Sequence, residues 1–213
     1  MDRLKQLGIT GAFVAVATLF CGWGFISSNN DPLIVALRAA FQLTYSQALQ
    51  IQLVSFLANA VMSFPAASLG NRLGPVNTIL IALSTMIAGC LAVRLGLEQE
   101  SYPAVLTAMF VMALGITMLQ VSANPLAAAL GPAPTSHFRL NLAQAFTSLG
   151  VVMGVNYGAA IMLGDKVMAA GQGAVHGAAE RGEVLQAIDA AFVAMAGMLA
   201  VLALFFWSQR HRI

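Results

Sequence analysis

Six long apolar stretches constrain this 213-residue chain more than any other feature. Crossing the hydrocarbon core of a bilayer takes about 20 apolar residues in a helix, and each stretch reaches that length. Because the stretches do not alternate apolar and polar residues, they predict helices rather than barrel strands. We therefore expect an all-α membrane protein, a single six-helix transmembrane bundle over residues 1–213. The predicted spans lie near 8–36, 45–70, 76–96, 103–130, 138–164 and 186–208.

Charge supports this assignment and orients the bundle. Charged residues make up only 8% of the chain, against about 25% in a soluble domain. Short loops rich in Lys and Arg remain in the cytoplasm, and one side of the predicted bundle holds Arg3, Lys5, Arg72, Arg139, Arg210 and Arg212. The opposite loops hold Glu98, Glu100, Asp165, Glu180 and Glu183. Both termini are therefore expected in the cytoplasm, with 165–185 as a flexible outer loop or, alternatively, a short surface helix.

Polar side chains recur on one face of four spans. Such groups are costly against lipid, so these faces are expected to turn toward a shared site, or alternatively to bond helix to helix. The third and sixth spans have few polar residues and are expected at the periphery. The polar faces comprise Ser27 and Asp31; Gln52, Ser55, Asn59 and Ser63; Thr117, Gln120 and Asn124; and Asn141, Gln144, Thr147 and Ser148.

Asp31 is the most unusual of these residues, since an intramembrane carboxyl group is expensive and is a functional candidate by default. The alternative is a structural acid satisfied by Asn29, Asn30 or free backbone carbonyls. Pro32 follows it and Pro125 lies in the fourth span, so a kink is expected at each. Matching interruptions in two three-helix units are typical of an inverted repeat.

Other functions have little support in the sequence. The net charge of +2 comes from scattered residues, which does not favour nucleic-acid binding. The three histidines form no His-Glu-x-x-His pair, and no Ser or Cys nucleophile lies beside a base. Cys21 and Cys90 lie within spans without metal-binding neighbours. We expect no enzyme activity, no cofactor and no metal.

Several segments resemble the fucose:proton symporter and glucose/galactose transporter family of the major facilitator superfamily. They are Gly24-Phe25-Ile26 with Asn30-Asp31, Gly115-Ile116-Thr117, Leu119-Gln120, Ala123-Asn124-Pro125, Leu130-Gly131-Pro132, and His137-Phe138-Arg139-Leu140-Asn141-Leu142-Ala143-Gln144-Ala145-Phe146 with Ser148. The resemblance covers about 10–164 and implies the amino-terminal bundle of that fold, built of two three-helix repeats, in a bacterial inner (plasma) membrane.

This resemblance implies a function and a set of site residues. Asp31 matches an acid of the fucose-type members that is assigned to proton coupling, whereas Gln120 replaces their second acid. Gln144 matches a sugar-contacting glutamine, and Thr147 replaces an asparagine. The expected hexose site comprises Asn30, Asp31, Gln52, Asn59, Gln120, Asn124, Asn141, Gln144 and Thr147. Trp23 or Phe25 would supply a ring face, although Trp23 is equally plausible as packing.

The chain also departs from the family. The loop motif Gly-x-x-x-Asp-Arg-x-Gly appears as Ala67-Ser68-Leu69-Gly70-Asn71-Arg72-Leu73-Gly74, with asparagine in place of the acid, so Arg72 is either a gating residue or only a topology determinant. Family members have twelve helices, and this chain has six. We expect a half-transporter that faces a second six-helix bundle, either another copy or a separate carboxyl-terminal half. The alternative is a non-transporting fragment: a truncated product or an isolated half-domain.

Overall fold

The computed structural model describes residues 11–28, 30–156 and 178–210, without the side chains of 30–33, 39 and 178–180. Within these ranges the secondary structure is entirely helical. A 3-10 turn, Ala133–Thr135, lies between α5 and α6, and a π-helical turn at 154–156 follows α6. The helices are α1 (Gly11–Ser28), α2 (Asn30–Ala40), α3 (Tyr45–Leu73), α4 (Pro75–Glu98), α5 (Tyr102–Ala129), α6 (Ser136–Met153) and α7 (Ala178–Gln209).

Five of these helices are long and apolar enough to cross a membrane: α1, α3, α4, α5 and α7. The second, third and fourth predicted spans agree closely with α3, α4 and α5. The predicted fifth span, near 138–164, corresponds to α6 and the π-helical turn as far as Asn156, and its remainder lies outside the described residues.

The first predicted span, 8–36, corresponds to α1, which the structure describes as far as Ser28, and to α2, which begins at Asn30 and continues to Ala40. Asn29 lies outside the described residues. Pro32 lacks an N–H group, so the carbonyl of Ser28 has no helical donor there, and the kink expected at Pro32 stays a prediction. Pro125, by contrast, lies inside α5, which continues to Ala129 without a break.

The prediction of a flexible loop over 165–185 is wrong for its last eight residues, which belong to α7. Arg181 forms an ion pair with Glu100, with 2.9 Å between Nη2 and Oε2. Val184 is buried in the core. These two contacts hold the first turns of α7 against the α4–α5 connection and extend the helix beyond the predicted apolar span. Residues 165–177 lie outside the described part.

Local sequence signals account for the starts of α3 and α4. Thr44 caps α3 in a capping box: Gln47 N–H bonds Thr44 Oγ1, and Thr44 N–H bonds Gln47 Oε1 at 2.9 Å. α3 and α4 are joined by one residue, Gly74, whose φ of 81° favours glycine. Pro75 then occupies the first position of α4, where a missing N–H costs nothing.

Two helix pairs pack closely through glycine. α4 packs most extensively against α5, and α1 packs mainly against α6. A Cβ at Gly89 on α4 would lie 2.7 Å from Met112 Cα on α5. On α6, a Cβ at Gly150 would overlap the Cys21 carbonyl of α1. Such small residues let helix backbones approach in membrane proteins.

The α1–α6 contact provides a test of this packing. We expect Gly150→Ala to destabilise the protein by about 1–3 kcal/mol, because a methyl group there forces the helices apart. The measurement is the thermal unfolding midpoint of the purified protein in detergent. Gly197→Ala on α7 is the matched control, since its added Cβ meets no atom within 4 Å. Equal midpoints for the two variants would contradict the packing.

Candidate functional site

A cavity of about 200 Å³ lies between α1, α2, α3 and α5. We call it the amide cavity, because Gln52 and Asn59 from α3 and Gln120 from α5 line it. Ser27, Ser55 and Trp23 add further polar groups, and Ile34 contributes from α2. The apolar part of its lining is Met109, Met112, Ala113 and Ile116. Three helices predicted to share a polar site therefore do so, while α4 and α7 contribute no lining residue.

Three side chains, Gln52, Gln120 and Trp23, present hydrogen-bonding groups to the cavity. Among the described residues, the side chains of Gln52 and Gln120 make no hydrogen bond. The indole Nε1 of Trp23 is buried and also has no partner there. Each amide offers two N–H donors and a carbonyl acceptor. The cavity can therefore bind an uncharged ligand that both donates and accepts hydrogen bonds.

Asn59 is held in place by Thr117 on the neighbouring helix. The Thr117 hydroxyl donates to Asn59 Oδ1, and its oxygen also lies 2.9 Å from the Ala113 carbonyl oxygen of its own helix. Thr117 is only 3% exposed, so its hydroxyl is shielded from water. The amide nitrogen of Asn59 remains available to the cavity. Thr117 was expected on the polar face of the fourth span but was not among the predicted site residues.

Asn124 and Gln144 form a second polar group beside the cavity. Gln144 Nε2 on α6 donates to Asn124 Oδ1 on α5 at 3.0 Å. Asn124 lines a small recess together with Gln120 and Trp23, both of which also line the amide cavity. The fifth predicted span is thus connected to the site through Asn124.

Two of the remaining predicted residues, Asn141 and Thr147, are not among the residues that line the amide cavity. Asn141 is exposed on α6. Thr147 is half-buried, its backbone lies against Gly24, and its hydroxyl has no partner among the described residues. Asn30 and Asp31 occupy the first turn of α2, and their side chains lie outside the described part.

Sequence reasoning missed the apolar lining residues of α5. Met109, Met112 and Ile116 precede Gln120 at spacings of three and four residues. Positions so spaced share one helix face, so extending the polar face of Gln120 backward by about three turns would have found them. A search for polar residues alone could not.

These features define an α-helical membrane protein with a polar cavity between its membrane-length helices, and comparison with known proteins identifies the family. The model of the Major Facilitator Superfamily matches residues 12–212. The chain therefore belongs to the Major Facilitator Superfamily.

Individual relatives agree with this assignment. A glucose/galactose transporter of Brucella abortus (biovar 1, strain 9-941) is 39% identical over 152 residues, which cover 71% of this chain and 37% of the relative. The L-fucose-proton symporter of Escherichia coli strain K12 is 32% identical over 153 residues, covering 72% of this chain and 35% of the relative. The resemblance inferred from the sequence motifs is confirmed.

Solved structures agree as well. A crystal structure of the superfamily transporter FucP in the outward conformation has a TM-score of 0.81 at 25% identity. It covers 94% of this chain but only 50% of FucP. The chain thus spans between about a third and a half of the length of these proteins, and the match lies in their amino-terminal part.

The Thr117 to Asn59 bond gives a prediction at this site. In a double-mutant cycle of Thr117→Val and Asn59→Leu, we expect a coupling of about 0.6 kcal/mol, the average for hydrogen bonds between membrane helices. Unfolding in a mixed micelle supplies the free energies.

Thr85 provides the matched control for this cycle, because its hydroxyl bonds only to the Ile81 carbonyl of its own helix. Thr85→Val and Asn59→Leu should be additive. If the Thr117 cycle is additive too, the bond does not hold Asn59.

Proposed function

We propose that this chain carries a hexose-type sugar across the bacterial inner membrane by alternating access, as one half of a transporter. The observation that carries the proposal is the amide cavity, with Gln52, Asn59 and Gln120 on its wall. The names of the relatives, glucose/galactose transporters and L-fucose-proton symporters, agree with such a substrate. These relatives are longer than this chain, so sugar transport by this chain is a proposal.

The chemistry of the cavity suits a sugar. Each sugar hydroxyl can donate one hydrogen bond and accept others, and a primary amide can answer both needs. Trp23 adds an indole N–H that has no partner among the described residues and an apolar ring face. Pockets for drug-sized ligands measure roughly 300–1,000 Å³, so a cavity of about 200 Å³ fits a smaller molecule. Asn124, Gln144, Asn141, Thr147 and Asn30 remain proposed sugar contacts from the sequence.

Asp31 is the proposed proton carrier. Ser27, four residues before it, and Ile34, three residues after it, both line the amide cavity. On α2, positions three apart share a helix face, which favours a location of Asp31 beside the cavity. A carboxyl group inside a membrane protein gains a proton more readily because desolvation disfavours its charged form.

A second six-helix bundle is the proposed partner, either another copy of this chain or a separate carboxyl-terminal half. Gln52, Asn59 and Gln144 are exposed in the single chain. Amides left against lipid would cost several kcal/mol each. On the same helix as Gln52, Phe64 is 86% exposed. In this proposal the six spans form two three-helix repeats within one bundle, and both termini are cytoplasmic.

The second candidate is a non-transporting fragment or isolated half-domain. One observation favours it: the aligned part of the chain covers only 37% of the Brucella transporter. The exposed amides would then remain unused.

The half-transporter is tested with the purified chain alone. We expect its mass in detergent to be that of a dimer, and liposomes containing it to take up glucose or galactose saturably. Gln120→Leu removes the amide that α5 presents to the cavity and should lower uptake about tenfold or more, as for loss of a buried polar contact to a substrate hydroxyl.

Asn77→Leu is the control variant, because Asn77 is exposed at the start of α4 and bonds only to the Leu73 carbonyl. The non-transporting fragment would be supported if the chain is a monomer and takes up no sugar. It must also show no uptake when it is co-expressed with a separately encoded six-helix bundle.

Proton coupling is tested with Asp31→Asn. We expect this variant to lose uphill sugar accumulation driven by a pH gradient but to retain part of sugar exchange, because the neutral amide can still bind hydroxyl groups. Radiolabelled sugar is measured in liposomes with and without an imposed gradient. Uphill accumulation equal to that of the unsubstituted chain would refute the role of Asp31.

A further inference from the structure

Arg139 is a fully buried cation at the connection between α5 and α6, with 0% of its surface exposed. Its Nη1 donates to the Pro132 carbonyl at 3.0 Å and to the Thr135 hydroxyl at 2.7 Å. Its Nη2 donates to the Ala128 carbonyl. From the sequence, Arg139 was expected only as one of the cytoplasmic positive charges. The structure places it inside the protein.

The acceptors explain how the charge is tolerated. A buried guanidinium is costly unless it is paired and hydrogen-bonded, and no carboxylate among the described residues forms an ion pair with it. Ala128 lies in the last turn of α5, where carbonyl groups have no helical donor and carry the negative end of the helix dipole. Arg139 therefore neutralises the end of α5 from its own position on α6.

This contact also fixes the register of α5 against α6. Asn124 lies one turn before Ala128, and Gln144 lies five residues after Arg139. α5 and α6 run in opposite directions. The contact between Arg139 and Ala128 is therefore followed, about one turn further along both helices, by the bond between Gln144 and Asn124, whose Nε2 and Oδ1 atoms lie 3.0 Å apart. α6 packs mainly on α1 and much less on α5. Without Arg139, few contacts would hold this register.

We propose that Arg139 is a positioning residue for the candidate site: it sets the register of α5 and α6 that brings Gln144 to Asn124. The role in sugar binding rests on the proposed function, whereas the register itself does not.

Cysteine cross-linking tests the register in native membranes. Asn124→Cys and Gln144→Cys are combined with Cys21→Ala and Cys90→Ala, and disulfide formation is driven by copper phenanthroline. Adding Arg139→Gln should slow cross-linking about tenfold, because small misplacements strongly reduce the rate of proximity-dependent reactions. Arg139→Lys should restore part of the rate, since an ammonium keeps the charge but not the planar fork of donors.

A second cysteine pair, introduced in a separate protein, serves as the control. Cys90 on α4 and Met112 on α5 have their sulfur atoms 3.7 Å apart, so Met112→Cys should cross-link to Cys90 in a protein lacking Cys21. Arg139→Gln should leave this rate unchanged. Unchanged cross-linking between α5 and α6 in the Arg139→Gln protein would overturn the proposal.

Loss of both cross-links in the Arg139→Gln protein would mean that this variant does not fold. In that case the Thr135→Ala variant tests the proposal instead. This change removes one of the three acceptors of Arg139 and leaves its charge in place. A slower cross-link between α5 and α6 with an unchanged control supports the proposal. If Thr135→Ala leaves the cross-linking rates of both cysteine pairs unchanged, the proposal is refuted.

Sugar uptake separates this proposal from the proposed function. In the unsubstituted cysteine background, Arg139→Gln should raise the KM for sugar more than it lowers the maximal rate, and Arg139→Lys should restore the KM in part. A fall in the maximal rate alone would contradict positioning. A chain that takes up no sugar would end the proposed function, while the cross-links still decide the role of Arg139.

Discussion

Hydrogen-bond satisfaction without water is the constraint on which the rest of this structure depends. In a bilayer, backbone groups must pair within the protein, which leaves helices as the structure for continuous apolar spans. Hydroxyl side chains can satisfy themselves on their own helix. Ser84, Thr85 and Thr107 each donate to the carbonyl four residues earlier. Such residues say little about function.

Amide side chains are different, because each has more donors and acceptors than a neighbouring carbonyl can satisfy. Asn59 is bonded by Thr117, and Asn124 is bonded by Gln144. Gln52 and Gln120 remain without a side-chain bond among the described residues and face the same cavity. Whether a polar side chain is satisfied on its own helix therefore distinguishes packing residues from binding residues better than polarity alone does.

Most of the fold could be predicted from the sequence, because apolar length defines membrane helices. The predicted boundaries of α3, α4 and α5 lie close to those in the structure, because a capping box, a single glycine and prolines mark the ends of these helices. Residues 178–185 of α7 could not be assigned to the helix from hydropathy, because they precede the apolar span and their contacts are with distant residues, such as the ion pair of Arg181 with Glu100.

Only some of the expected site residues lie together, for a related reason. Helical spacing gives the face of a residue but not its neighbour: Gln52, Asn59 and Gln120 line one cavity, whereas Asn141 is exposed on α6. Arg139 shows the same limit, because a count of charges in loops cannot distinguish an exposed cation from one enclosed by carbonyl groups.

The amide at Gln120 also constrains the proposed coupling. A carboxylate on the cavity wall would have to be desolvated or protonated each time a sugar closed over it, whereas a neutral amide can exchange water for sugar hydroxyls at much lower cost. A neutral amide does not titrate in the physiological range, so Gln120 itself supplies no dependence on pH. In the proposed mechanism, coupling to protons enters instead through Asp31, the acid proposed beside the cavity.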